Sequence, residues 1–528
     1  MFKVLVSDPI SDNGLQLLYE AGDVEVIKKT GLSEDELLEW IRDADALLVR
    51  SQTKVTERLL DAAKKLKVVG RAGVGVDNID LDAATERGII VINAPDGNTI
   101  STCEHTMAML MAVARNIPQA YKKTISGEWD RKSFVGVELR NKVLGIIGLG
   151  RIGSEVARRA KAFGMEVIGY DPFLSEARAE KLGIQLFSVD EVVERADFIT
   201  VHTPLTDETR HMISRPQFEK MKKGVRIINC ARGGIIDEAA LIEAIDQGIV
   251  AGAAFDVFEQ EPPAKDHPFL NHPNIIVTPH LGASTKEAQE NVAIDVAQEV
   301  LHILRDEPFK NAVNIPSVPA EVLKKLQPYF LLGEKMGRFL AQMTDGAVQE
   351  IRIQYSGELA DVDTLPLSRQ IVKGVLASHL GSNVNIVNSM HVAKSRDIEI
   401  VQQKKSSTKG FTNLISLSLK TSRGEWNIAG TLMNGYGARI VQIQNYTVDL
   451  PPEGNLILVS HQDKPGIIGK LGTILGNNDV NIATMQVGRK RIGGDAIMVL
   501  TIDKQAPEHV LEEISALPDI SSVQEIVL

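Results

Sequence analysis

An arginine, a glutamate and a histidine in the middle of the chain could together support oxidation of a secondary alcohol. Arg232 stands in Ile228-Asn-Cys-Ala-Arg232-Gly233-Gly234, directly after a β-rich run. Open α/β sheets place ligands at the carboxyl ends of their strands. The two glycines leave room for a guanidinium to grip a carboxylate through two parallel hydrogen bonds. Glu261 stands in Phe255-Asp256-Val-Phe-Glu259-Gln-Glu261-Pro262-Pro263, and His280 in Val277-Thr-Pro-His280-Leu-Gly-Ala-Ser284. Hydride loss from an alcohol needs a base for the hydroxyl proton, and histidine titrates in the right range. A carboxylate on its other ring nitrogen would fix the tautomer, stabilise the imidazolium and raise the histidine pKa. His280 and Glu261 could form that dyad, and the proline beside each stiffens the backbone that carries it. Taken singly, each residue has a plainer reading: an arginine capping a strand end, a histidine at a surface or cap.

A hydride needs an acceptor, and the sequence offers a place for one. Val143-Leu-Gly-Ile-Ile-Gly148-Leu-Gly150-Arg-Ile-Gly153 precedes a helical pattern and then Val167-Ile-Gly-Tyr-Asp171. This is strand, glycine turn, helix, strand and terminal acid, the order of a dinucleotide-binding βαβ unit. Gly148 permits the tight turn. Gly150 lets the backbone approach a pyrophosphate at the helix amides, and Gly153 packs helix on strand. Asp171 would accept bonds from a ribose diol and repel a 2′-phosphate, which favours NAD over NADP. The alternative for this stretch is a tight βα turn without a ligand.

These groups need elements to hold them. The chain has 528 residues, too many for one ordinary domain. Its 44% hydrophobic and 24% charged residues are those of a soluble globular protein. Strand-like runs (Lys3–Val6, Val24–Ile27, Ala46–Val49, Val68–Gly70, Ile89–Ile92) alternate with helical stretches. A second such series, from Val143–Ile147 to Ile275–Val277, follows. Both predict doubly wound parallel sheets, Rossmann-like or flavodoxin-like. One amphipathic helix over about 285–305, with Val292, Val296, Val300 and Ile303 on one face, should cross back to the first sheet. The expected division is a discontinuous domain of 1–97 plus 284–314, a nucleotide domain of 98–283, an α+β region of 317–450 and a module of 452–528. Asn314-Ile-Pro-Ser-Val-Pro319 and Pro451-Pro452-Glu-Gly454 are the expected linkers. The last module reads strand, helix, strand, strand, helix, strand, which is ferredoxin-like. A module so small should leave a sheet edge or face that pairing across a two-fold axis would bury.

Composition also excludes partners. A net charge of −11 argues against nucleic acid. No apolar run approaches the roughly 18 residues that cross a membrane. Cys103 and Cys230 cannot form a disulfide framework, and the first residues lack the apolar core of a secretory signal, so a cytoplasmic enzyme with no membrane partner is expected. No metal-ligand cluster is evident.

The motifs as a set resemble the D-isomer-specific 2-hydroxyacid dehydrogenases and, among them, the long-form D-3-phosphoglycerate dehydrogenases. Gly148-Leu-Gly150-Arg-Ile-Gly153, Asn229-Cys-Ala-Arg232-Gly-Gly, Phe258-Glu-Gln-Glu261-Pro and Thr278-Pro-His280-Leu-Gly-Ala match in order and spacing, as does Arg71-Ala-Gly73-Val-Gly75-Val-Asp77-Asn78. The resemblance implies that Arg232 anchors the substrate carboxylate and carbonyl, His280 is the acid/base and Glu261 orients it. It places Arg151 and Ile152 at the cofactor pyrophosphate and Asp171 at the adenosine ribose. Thr203, Cys230 and Asp256 fall at the nicotinamide half, and Val74, Gly282 and Ala283 beside the cofactor. The implied reaction is oxidation of 3-phospho-D-glycerate to 3-phosphohydroxypyruvate with NAD, the entry to L-serine synthesis. Arg50, Arg71 and Arg131 are then the phosphate candidates, with Asn98 and the Gly73–Val74 amides at the carboxylate; each arginine also reads as a solvated surface charge. The C-terminal stretch resembles an ACT domain, with L-serine as the expected effector and His461, Asp463 and Asn481 as its contacts. Asp463 is either a cap of the helix that Pro465 should open or a ligand for an amino group. The 317–450 region resembles the intervening domain of the long-form enzymes, and the family implies a homotetramer with a dimer through the nucleotide domain. The competing readings are another D-2-hydroxyacid dehydrogenase, acting on glycerate or 2-hydroxyglutarate, and a non-catalytic NAD-sensing regulator.

Overall fold

Apolar runs too continuous for a half-exposed strand dictate sheets covered on both faces. A computed structural model describes residues 1–316, 318–407 and 410–528; Ser317, inside the first expected linker, lies outside the described residues. The first sheet holds β1 (Phe2–Val6), β2 (Val24–Lys28), β3 (Ala46–Val49), β4 (Val68–Arg71) and β5 (Ile90–Asn93), all parallel in the order β2-β1-β3-β4-β5. All four residues of β3 are buried. Leu5, Leu47 and Val69 face helices Glu34–Ile41, Glu57–Ala62 and Leu81–Glu86 on one side. Val4, Leu48 and Val68 face Val292, Val296 and Val300 of helix Lys286–Leu304 on the other. That helix lies so close that a methyl on Gly70 would come 2.5 Å from Val296.

The second sheet holds β6 (Val143–Ile147), β7 (Glu166–Tyr170), β8 (Gln185–Leu186), β9 (Phe198–Val201), β10 (Val225–Asn229), β11 (Val250–Phe255) and β12 (Ile275–Val277), parallel, in the order β12-β11-β10-β9-β6-β7-β8. Strand order reverses at β1/β3 in the first sheet and at β6/β9 in the second. These are the switch points where open α/β sheets admit ligands. Two crossings join the sheets, through helix Thr99–Arg115 and through Thr278–Thr285. They run side by side: the Ser101 and Thr285 hydroxyls are 2.7 Å apart, and Thr102 Oγ1 donates to the Gly282 carbonyl at 3.2 Å.

The third sheet is mixed: β13 (Val348–Gly357), β14 (Glu399–Lys405), β15 (Asn413–Thr421), β16 (Gly424–Met433), β17 (Gly437–Ile443) and β18 (Tyr446–Leu450), ordered β14-β13-β15-β16-β17-β18. Helices Ala320–Met343 and Leu365–Leu380 pack together and against it. The fourth is antiparallel: β19 (Asn455–Gln462), β20 (Ile482–Arg489), β21 (Asp495–Ile502) and β22 (Ile520–Val527), ordered β20-β21-β19-β22. Helices Ile467–Asn477 and Glu508–Ser515 cover its Ile457 and Val459 face.

The opposite face of this fourth sheet corrects an expectation. Leu456, Leu458, Ile497, Val499 and Ile526 are buried within the same chain, in one core with Leu326, Leu340 and Ile440 of the third unit. Gln342 seals the junction by donating to the Val527 carbonyl and accepting its amide, both at 3.0 Å. β19 is apolar on both sides, so it needs a partner on each, and helix Ala320–Met343 supplies the second. The edges are met within the chain as well: on β20, Gly488 lies beside Tyr446 and Thr447 of β18, and on β22, Val527 carries the Gln342 contacts.

Candidate active site

The candidate catalytic and dinucleotide residues leave the carboxyl ends of the second sheet. Gly148 (φ 94°) follows β6, where a side chain would run into the His202 backbone. Gly153 rests on the Gly148 carbonyl, 2.0 Å from where a methyl would sit. Gly150 faces the other way: a methyl there would meet no described atom within 4 Å. It opens helix Arg151–Ala162, whose first amides receive no side-chain cap. The open cradle, the bare amides and the buried, unpartnered Thr203 Oγ1 after β9 fit an anionic dinucleotide. Asp171 follows β7 and accepts the Leu149 and Phe173 amides at 2.8 Å each, so it is fixed with lone pairs to spare. Arg151 reaches across to Asp96, and Ile152 sits one residue further into the same first turn. Burial drives the His202 imidazole down to about 4, so it is neutral beside this turn.

The dyad forms. His280 Nδ1 lies 2.7 Å from Glu261 Oε2, and Glu261 Oε1 accepts the Phe258 amide at 3.1 Å. Burial pushes the Glu261 carboxyl up; the bond and charge from His280, the Phe258 amide and Arg232 outweigh this and hold it below the usual carboxylate range. Glu261 is therefore ionised and can only accept, so Nδ1 carries the hydrogen and Nε2 the lone pair. His280 is left-handed (φ 55°), an uncommon conformation for a non-glycine residue. The buried Asp256 secures its loop, taking the Thr278 hydroxyl at 2.6 Å and the Leu281 and Gly282 amides at 2.7 and 2.8 Å. Ala283 follows in that loop. Burial raises the Asp256 carboxyl, but His105 (3.1 Å away) and these donors bring it below the usual range. Cys230 is buried nearby, and burial and the Asp256 charge push its thiol up, so it is an inert liner.

Arg232 faces the first sheet. Its Nε is 3.3 Å from Asp77 Oδ2, and a methyl on Gly75 would overlap its Nη2 at 2.0 Å. Asn229 braces the turn, donating to the Arg232 carbonyl at 2.8 Å and accepting the Ala231 amide at 3.0 Å. Gly233 must be glycine, because the Phe258 carbonyl lies 1.8 Å from where its methyl would be.

Arg50 and Arg71 leave β3 and β4 on the opposing wall. The Arg50 turn is pinned by buried Asp8, which accepts the amides of Arg50 (2.6 Å), Gln52 (3.2 Å) and Thr53 (3.0 Å) and the Thr53 hydroxyl. The Arg71 guanidinium lies across Gly73, and its Nε is buried without a partner among the described residues. Burial first, then the charges of Arg232 and Arg50, bring it down to about 10, still protonated at neutral pH. Asn93 orients the segment by donating to the Val74 carbonyl at 2.5 Å. Asn98, at the start of helix Thr99–Arg115, keeps a buried, unpartnered Oδ1. Three guanidiniums and unmet polar atoms line one cleft, which suits a doubly anionic ligand. Arg131 does not join them: it is exposed beyond helix Ile117–Ile125, a segment not packed against the first sheet. Asp8, Asn93 and His105 escaped the sequence reading, and Asp77 entered it only within its motif, without a role. Each is a single polar residue whose role depends on a distant partner.

In the C-terminal module the expected effector residues divide. His461 is buried on β19 with Nε2 unpartnered among the described residues. The helix expected from Pro465 begins at Ile467, after left-handed Gly466, and has no side-chain cap. Asp463 is therefore not a cap; it accepts Arg489 Nη1 at 2.9 Å and the Gly493 amide at 3.2 Å, which hold its carboxyl below the usual range. Asn481 donates to Asp503 at 2.8 Å at the far end of the sheet. Register sets it level with Asn455 rather than His461, about 20 Å away at roughly 3.3 Å per strand residue. One chain thus cannot bring Asn481 to the other two.

Comparison with known proteins agrees with this layout. Residues 107–282 match the family "D-isomer specific 2-hydroxyacid dehydrogenase, NAD binding domain", residues 325–444 the "D-3-phosphoglycerate dehydrogenase intervening domain" and residues 455–519 the ACT domain. The D-3-phosphoglycerate dehydrogenases of Bacillus subtilis and Methanocaldococcus jannaschii are 50% and 49% identical, over 100% of this chain and 100% of theirs. A D-lactate dehydrogenase from Aquifex aeolicus, solved with NAD and lactic acid, is 30% identical with a TM-score of 0.53, covering 60% of this chain and 100% of its own.

Proposed function

The chain belongs to the D-3-phosphoglycerate dehydrogenase family, and from that premise we propose how its residues divide the work. It is an NAD-dependent oxidoreductase that converts 3-phospho-D-glycerate to 3-phosphohydroxypyruvate, the committed step toward L-serine. The proposed division is 1–97 plus 284–314 for the substrate, 98–283 for the nucleotide, 317–450 as intervening domain and 452–528 as ACT domain.

NAD, when bound, supplies the hydride acceptor. Gly148, Gly150, Gly153, Arg151 and Ile152 would hold its pyrophosphate, Asp171 its ribose, and Thr203, Cys230 and Asp256 its nicotinamide half, with Val74, Gly282 and Ala283 beside the cofactor. His280 Nε2 takes the substrate hydroxyl proton, while Glu261 holds the tautomer that exposes this lone pair and stabilises the resulting imidazolium. Arg232 binds the carboxylate together with the Gly73–Val74 amides and Asn98, and Arg50 and Arg71 receive the phosphate. The carrying observation is the 2.7 Å His280–Glu261 pair facing the arginine cluster across one cleft. The test is NADH formation on a panel of 3-phosphoglycerate, glycerate and 2-hydroxyglutarate. Preference for either unphosphorylated acid would overturn the phosphate assignment.

The ACT domain suggests an effector. L-serine, held by His461 and Asp463 of one copy and Asn481 of another, is the proposed one. A flat response of activity to serine would remove it. We propose a homotetramer in the cytoplasm. Helix Ile117–Ile125 buries no residue and presents exposed Ile117, Tyr121 and Ile125 beside exposed Trp129, an apolar stripe suited to a second nucleotide domain. Among the described residues no helix is long and apolar enough to cross a membrane.

A further inference from the structure

Behind Glu261, on the side away from the cleft, two glutamates and two histidines form a connected group. Glu238 opens helix Glu238–Asp246 with its side chain only 12% exposed. Its Oε1 accepts the Glu259 amide at 2.8 Å, and its Oε2 lies 2.9 Å from His267 Nε2. Glu259 answers in kind, its carboxylate accepting the Glu238 amide at 3.4 Å and meeting His211 Nε2 at 3.0 Å. The His267 ring is wedged edge-on against Phe258 and Phe269, with centroids 5.4 and 5.0 Å apart.

We infer that Glu238 is a positioning residue for the His280–Glu261 dyad: by clamping the Glu259 amide it fixes the turn from Phe258 to Glu261. The inference rests on the dyad reading above. The Phe258 amide is the second anchor of the Glu261 carboxylate, so the turn closes on itself, and Glu238, together with the Glu259–His211 pair, ties it to the sheet framework. The Phe258–Glu259 peptide also lies directly on Gly233, next to Arg232. A turn loosened at Glu259 shifts the carboxylate that orients His280 and the backbone that seats Arg232. Glu238 itself lies behind the turn, clear of the proposed substrate contacts.

The test compares Glu238→Ala, Glu238→Asp and Glu238→Gln with Glu261→Gln, and with Glu243→Ala as a control. Glu243 sits on the same helix and pairs only with exposed Arg215, at 2.6 Å. Glutamine still accepts the Glu259 amide through its oxygen, but its NH2 faces the Nε2–H of His267, whose Nδ1 takes the Phe269 amide, so it should rescue only in part. Aspartate keeps the charge but lacks the reach. Misplacing a catalytic group by about 1 Å costs up to roughly a hundredfold, so Glu238→Ala should lower kcat between about tenfold and a hundredfold. The Kd for NAD, read by fluorescence, should hold, and KM for 3-phosphoglycerate should rise by less than kcat falls, because the turn also lies against the backbone next to Arg232. The acid limb of kcat/KM should move to lower pH, because an imidazole less firmly paired with a carboxylate is less basic. Wild-type kcat and an unmoved limb in Glu238→Ala would overturn the clamp. So would equal losses in Glu238→Ala and Glu238→Gln with a lowered Tm and an unmoved limb, which is the mark of a merely structural residue. An unchanged kcat in Glu261→Gln would remove the dyad reading and the clamp with it.

Discussion

The catalytic cleft and the ACT domain treat the polar groups proposed to meet a ligand in opposite ways. The cleft leaves them unmet. Burial first, then the charges of Arg232 and Arg50, depress the Arg71 guanidinium, and Arg71 Nε, Asn98 Oδ1 and Thr203 Oγ1 are buried without partners among the described residues. The ACT domain satisfies its own: Asp463 is held by Arg489 at one end of the sheet and Asn481 by Asp503 at the other, leaving His461 Nε2 unpartnered among the described residues. An unmet buried polar group costs about 1–3 kcal/mol, and a site that carries several is preorganised for a ligand that supplies the missing partners. A site that has closed on itself must exchange an internal bond for a ligand bond, so its occupancy depends on rearrangement or on a second copy.

The sharpest test of the preorganised side is His280→Ala. Loss of a general base costs about 10²–10⁴ in kcat, with NAD affinity little changed, because the proposed pyrophosphate and ribose contacts follow β6 and β7. Retention of near-normal kcat would exclude His280 as the base. The same site sets a pH expectation. The Glu261 carboxyl is held below the usual carboxylate range in the folded chain. Its contribution is therefore present above the unfolded pKa and is lost as pH falls through the depressed one, so the dyad survives ordinary acidification and fails only below that range.

Next in size is Arg71→Ala. A hydrogen bond to a charged group is worth about 1.5–3 kcal/mol, so KM for 3-phosphoglycerate should rise between roughly tenfold and a hundredfold, with a smaller fall in kcat. Arg71→Lys should not restore it, since an ammonium lacks the planar fork with which a guanidinium can meet two phosphate oxygens at once. Arg50→Ala should behave alike, and Arg131→Ala should change little within one chain. Unchanged KM in both Arg50→Ala and Arg71→Ala would rule the phosphate pocket out.

Much of the cleft was legible in the sequence because its working residues stand in contiguous motifs at strand ends. Gly148 to Gly153, Asp171, Arg232, Glu261 and His280 each follow a strand that hydrophobic runs already located. The residues that hold them were not legible. Asp8, after β1, reaches Arg50 and Thr53 after the neighbouring β3, and Asp77 meets Arg232 from the other sheet. Such partnerships exist only after the sheets stack, and one aspartate in a loop looks like any other. Strand direction hid the ACT outcome in the same way: Asn481 follows Asp463 closely in sequence, but β20 starts at the opposite end of the sheet from His461. β8 is too short to show any periodicity, and the burial of the ACT sheet face required knowing where helix Ala320–Met343 would lie.

A smaller effect is expected at Asp77, which holds Arg232 in the absence of an anion. Its side chain is 72% exposed and the pair is at 3.3 Å. Surface pairs are worth little, so Asp77→Ala should lower KM by less than about tenfold with kcat intact. A rise in KM would mean that Asp77 aligns Arg232 rather than competing with the substrate, and the cleft would then be less unmet than the comparison holds.

The smallest effect is expected at Arg489, and it tests the self-satisfied side. Arg489 donates to Asp463 where an effector's ammonium would have to bind. If that internal bond is what keeps the site closed, Arg489→Ala removes the competitor, and serine should inhibit at a several-fold lower concentration while activity without serine is unchanged. Asp463 remains ionised in the variant at neutral pH and retains the Gly493 amide, so the carboxylate is still presented. If instead Arg489 is needed to aim Asp463, the variant should lose serine sensitivity. Arg489→Lys, which keeps charge without the fork, separates the two: competition predicts a response near wild type, and aiming predicts a loss close to that of alanine. A dose response in serine for the three proteins therefore decides whether the ACT end is a closed site or a finished one.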